Sequence, residues 1–156
     1  MRRPTNNAPV DSTTSSIVRR RALIGALAET VLGRPLWPVE HTAVDIALAA
    51  AVASASVPIL PMVVERILTP DAGEDPRLGE DGRVVGHALR RLVAGDLAGI
   101  FDGPSTVAFD PSLPMVSLHL SRVAENNALI SVLMTCSSAW MESALLDPAG
   151  GQRWVI

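Results

Sequence analysis

The 156-residue chain has no lysine, no tyrosine, one cysteine and two phenylalanines. Each shortage excludes something. A Walker-type phosphate loop needs a lysine on the nucleotide phosphates, so that loop is not in this sequence. A lone Cys136 rules out an internal disulfide, and its place in an apolar run predicts a buried thiol rather than a reactive one. No Gly-x-Gly-x-x-Gly run supports a dinucleotide fold, and no Gly-x-Ser-x-Gly elbow presents a serine nucleophile. His41, His87 and His119 are dispersed and lack partners at metal-ligand spacing. His119 stands between Leu118 and Leu120 and is expected to be half-buried. The carboxylates Asp71, Glu74, Asp75, Glu80 and Asp81 crowd one stretch rich in Gly and Pro, which predicts a solvated loop more than an acid/base pair. A formal net charge of −3 gives no general pull toward nucleic acid or anionic lipid.

What is present is mostly apolar. Hydrophobic residues make up 48% of the chain, enough for one modest domain with a real core. Composition rich in Ala, Arg, Gly and Pro, without Lys, points to the codon usage of a GC-rich bacterial genome. Arg2 and Arg3 precede a polar stretch, Pro4 to Ser16, that has no apolar run. It is read as a disordered tail (1–16), not a secretory signal. Ile46 to Val64 carries no charge and has the length of a membrane span. It is Ala-rich, contains Ser54 and Ser56, and is broken by Pro58 and Pro61. A buried helix followed by a turn is expected there instead of a span.

Along the chain, Leu23, Ile24, Leu27, Val31 and Leu32 make one helical face, stopped by Gly33. Arg34 to Pro38 is a stiff connector, and Pro38 with Glu40 suits the opening of a helix that runs to about Ser54. A short helix is expected over Met62 to Leu68, a loop over Asp71 to Gly82, and a helix over Arg83 to Ala94. That last helix places Val85, Ala88, Leu89 and Leu92 on one face. Arg83, His87, Arg90 and Arg91 fall on the other, as a basic docking face or as an ordinary solvated surface. Gly95 to Pro114 has no clear period, and Asp102-Gly103-Pro104-Ser105 is turn chemistry. In the last third, Met115 to Leu120 alternates as a strand would, Ala128 to Leu146 reads as an almost uncharged helix, and Arg153 to Ile156 opens as a second strand. Two strands joined through a helix predict a parallel pair with a right-handed crossover. The expected fold is therefore an α/β fragment, mainly helical: a helical subdomain (17–99) followed by a partial parallel β-α-β unit (100–156).

Three ordered stretches carry a family likeness: Gly33 to Glu40, Gly95 to Thr106, and Val116 to Ser121 continuing through Cys136, Ala139 and Trp140 to Gln152 to Ile156. In this order they resemble the middle of conjugal-transfer ATPases of type IV secretion systems, in their actinobacterial form, among the RecA-like HerA–FtsK P-loop motors. The resemblance implies that 17–99 is a helical insertion, that Met115 to Leu120 re-enters a RecA-like sheet, and that Arg153 to Ile156 begins the Walker B strand. It implies ATP and Mg²⁺ as cofactors of the intact family, hexameric motor subunits as partners, and a cytoplasmic location peripheral to a secretion complex. No cofactor, metal or catalytic residue carries over to this chain, because no position matches the phosphate loop or the acidic pair. The expectation is an inactive fragment of such an ATPase, with two alternatives: a helical adaptor docking to an intact motor subunit through Arg83, His87 and Arg90, or a membrane-associated helical protein.

Overall fold

The computed structural model describes residues 10–71, 73, 76–105 and 115–145. They form five helices: α1 (Val10–Leu32), α2 (Pro38–Ser54), α3 (Leu60–Leu68), α4 (Pro76–Ala94) and α5 (Asn127–Leu145), with a 3₁₀ turn at Ser121–Val123. No strand occurs among the described residues.

Local chemistry sets the helix ends. Gly33 takes the left-handed conformation (φ 68°) that closes α1, and its amide donates to the Glu29 carbonyl at 2.8 Å. Pro38 occupies the first turn of α2, where its missing amide costs nothing. Glu40 in that turn reaches back and accepts from the Trp37 amide at 2.8 Å. Asn126 caps α5 by accepting from the Leu129 amide at 3.0 Å. The uncharged run from Ile46 to Val64 is split after Ser54, as the prolines require. No helix among the described residues is long and apolar enough to cross a membrane.

The core sits where α1, α2, α3 and α4 meet, and α5 packs along α1. Leu27, Val44, Val63, Ile67, Val85, Leu89 and Leu92 are at most 3% exposed, and Val132 brings α5 into the same cluster. Full burial of such side chains contributes about 1.5–3 kcal/mol each. The Thr30 and Thr135 hydroxyls meet at 3.1 Å and fix α5 against α1.

Several expectations fail, beginning with the disordered tail over 1–16, since α1 starts at Val10. The α/β reading is overturned: Met115 to Leu120 forms neither strand nor helix, and residues 115–119 are exposed. Alternation does not suffice for a strand, because a ladder also needs a neighbour to take the backbone hydrogen bonds. The second strand expected at Arg153 to Ile156 lies outside the described residues. His119, expected to be half-buried on that strand, is exposed.

The loop expected over Asp71 to Gly82 is also shorter than its composition suggests, because α4 begins at Pro76. Its glycines look like helix breakers but act as packing sites. A Cβ at Gly82 would lie 2.9 Å from Ile67 Cγ2 and 3.0 Å from Ala43 Cβ, and one at Gly86 would lie 2.7 Å from Leu68 Cδ2. Lacking that carbon, α4 approaches α2 and α3 closely enough to bury its apolar face.

Candidate functional site

The basic residues that the sequence pattern offered as a site lie on the exposed side of α4. Val85, Leu89 and Leu92 are fully buried and fix the helix rotation. The opposite side must then face solvent, and Arg83, His87, Arg90 and Arg91 are all exposed. Arg83, His87 and Arg90 stand at i, i+4 and i+7, one ridge about 10 Å long. The structure separates the fourth member from them. Arg91 is clamped onto Asp96 by two hydrogen bonds, Nε to Oδ1 at 2.9 Å and a terminal nitrogen to Oδ2 at 2.7 Å. That pair raises the Arg91 pKa and lowers that of Asp96, through the shared hydrogen bond first. It also folds the chain back after α4, where the Leu97 amide reaches the Arg91 carbonyl at 3.0 Å.

Elsewhere among the described residues, several arginines are matched with carboxylate. Arg21 pairs with Asp45 at 2.6 Å, Arg34 with Glu40 at 2.7 Å, and Arg66 with Asp71. Arg83 and Arg90 have no ion-pair partner among the described residues. Arg19 and Arg20 are similarly open on α1, but neighbours in sequence do not share a helix face. The α4 ridge is thus the place where unneutralised basic groups align.

A second surface feature surrounds Trp37, an indole that is 64% exposed. The Arg34 guanidinium stacks over the ring at 5.5 Å from its centre while gripping Glu40 with both terminal nitrogens, at 2.8 and 2.7 Å. Glu40 is only 4% exposed. Its carboxyl is held below the usual range, chiefly by the Arg34 hydrogen bond and against the cost of burial. Glu29 accepts from the Leu36 amide at 3.0 Å, so the connector is pinned from both helices. Sequence reading identified this stretch as stiff from its prolines, but the arginine–glutamate fork spans six residues of a turn and leaves no periodic signal.

An open cleft of about 650 Å³ lies between the end of α2 and α3, floored by Ala50, Ala51 and Ala53 and edged by Met62, Glu65 and Arg66. Arg66 there is engaged by Asp71, whose pKa the pairing lowers. Comparison with family models, curated proteins and solved structures finds no match. Among the described residues no three His, Cys, Asp or Glu side chains gather as a metal site. Burial pushes the Cys136 thiol up to about 11, so it is protonated at neutral pH.

Proposed function

We propose that this chain is a helical docking module that binds an acidic protein surface through the α4 ridge of Arg83, His87 and Arg90. One observation carries the reading: the bundle neutralises Arg21, Arg34, Arg66 and Arg91 with its own carboxylates, yet leaves Arg83 and Arg90 open on a single rigid ridge. Arginine on a fixed helix grips carboxylates through its planar fork with little ordering cost. The site is weakly basic, so affinity comes from contact geometry more than from long-range attraction.

The ordered motifs that resemble secretion ATPases supply a candidate partner, an intact motor subunit. A cytoplasmic location beside a secretion complex goes with that choice. The test is anisotropy of a labelled polyglutamate peptide titrated with the full chain at low ionic strength. Binding that weakens with salt and is lost in the double variant Arg83→Glu, Arg90→Glu is expected. Equal binding by the wild type and the variant rules the ridge out, and co-purification with a motor subunit tests the partner.

A second reading, the chain as a piece of such an ATPase, draws support from helices α2, α3 and α4, which fall where the resemblance places a helical insertion. It predicts no specific ATP binding by this chain, with or without Mg²⁺. Micromolar affinity in a calorimetric nucleotide titration would count against it.

A further inference from the structure

We infer that the connector between α1 and α2 is a recognition motif, docking into an aromatic-lined groove of the kind SH3 domains carry on a partner protein. Arg34-Pro35-Leu36-Trp37-Pro38 is two Xaa-Pro dipeptides separated by one residue. That spacing suits a polyproline II helix, where three residues make a turn and positions three apart share an edge. The backbone takes that form. Trp37 has φ −78° and ψ 156°, beside standard values of about −75° and +145°. The two prolines fix their own φ and hold the residue before each of them extended. Arg34 and Trp37, three apart, do share an edge, since the guanidinium lies 5.5 Å from the centre of the indole. Helix initiation accounts for Pro38, but not for Pro35 or for an indole left 64% exposed.

The edge that is buried selects the partner. Pro35 and Pro38 lie on one edge, Arg34 and Trp37 on a second, and Leu36 alone on the third. Leu36 is 7% exposed and belongs to the core cluster, whereas Pro35, Trp37 and Pro38 are exposed. A groove that takes both Xaa-Pro dipeptides therefore meets the two open edges while the third stays seated in the protein. Donor chemistry narrows the choice further. The Leu36 amide donates to Glu29 at 3.0 Å and the Trp37 amide to Glu40 at 2.8 Å, and neither proline has an amide. From Pro35 to Pro38 the motif offers rings and carbonyls but no open backbone donor, which suits a proline groove and excludes pairing with a sheet edge. Arg34 is held by Glu40 through both terminal nitrogens, so the grip rests on proline rings and the indole, not on an ion pair. The same bonds preset the conformation and cut the ordering cost of binding. A motif this short buries little area, so the contact is weak and transient. It does not involve the α4 ridge.

The test is an array of purified SH3 domains probed with the labelled full chain, each binder then being titrated by fluorescence anisotropy. At least one domain binds, and a free proline-rich peptide that fills the same groove displaces the chain. Pro35→Ala and Trp37→Ala each weaken binding at least about ten-fold, with helical circular dichroism unchanged because both side chains are exposed. Amide shifts in the full chain concentrate at Leu36, Trp37 and Val39 as the domain is added. Should either substitution cost helix, the shift map and the competing peptide still decide. Silence across the array overturns the inference. So does binding that withstands the competing peptide or both substitutions, and so do shifts gathered on α4 in place of the connector.

Discussion

Removing the Glu40 carboxylate should destabilise the bundle more than any other change to an ionisable side chain in the α1–α2 connector. Glu40 accepts three hydrogen bonds, from both terminal nitrogens of Arg34 and from the Trp37 amide. Glu40→Ala removes the acid's half of the cap on α2, about 1 kcal/mol. It also removes two charge-assisted hydrogen bonds, a class in which each contributes about 1.5–3 kcal/mol when well shielded. The Arg34 side chain is 36% exposed and regains water once released, so only part of that is lost. The expected total is about 2–3 kcal/mol, or roughly 10 °C in melting temperature for a chain of this size. Glu40→Gln, which keeps one acceptor, should cost about 1 kcal/mol.

The pH dependence has a definite sign. The folded Glu40 pKa is depressed, so its contribution is present above the unfolded value, about 4.3, and fades as pH falls through the folded one. The gap between wild type and Glu40→Gln in urea unfolding should therefore close below about pH 4. A Glu40→Ala loss under about 0.5 kcal/mol, or a gap unchanged at low pH, would refute the reasoning.

Three further outcomes follow from packing and burial. Gly82→Ala should lower stability by about 1 kcal/mol even though alanine is the better helix former, because the added carbon meets Ile67 and the backbone-anchored Cβ of Ala43; chemical denaturation decides the sign. Leu89→Ala should cost about 2–5 kcal/mol at a fully buried site, and Met134→Ala, 48% exposed on α5, within about 0.5 kcal/mol of zero, both read from urea midpoints. Cys136 should react with a thiol reagent at pH 8 at least about a hundred-fold more slowly than a free cysteine, since its thiol stands near 11. A rate within ten-fold of the free thiol, in folded protein, would contradict the burial.

How far the sequence could be read depended on whether the signal was local. Pro38 with Glu40, Gly33, and Thr69 with Pro70 each act within one turn, and they place the start of α2 and the closing ends of α1 and α3, whereas the start of α1 at Val10 falls inside the stretch read as a tail. The apolar face of α4 was equally plain, because its period is internal to the helix. The start of α4 was hidden, since Gly82 and Gly86 act through contact with Ala43, Ile67 and Leu68, which composition alone does not reveal. Met115 to Leu120 failed for the same reason in reverse: its pattern is local, but a strand is a property of two segments. Of the four basic residues proposed as one face, Arg91 proved to be held by Asp96, a partner five residues away that helical spacing does not foresee.

The most direct measurement is amide chemical-shift mapping of the full chain during titration with an acidic peptide. Shifts concentrated between Arg83 and Arg90, and abolished when both arginines are reversed to glutamate, are predicted. No shifts, or shifts gathered in the α2–α3 cleft around Met62 and Arg66, would contradict a docking role for the α4 ridge.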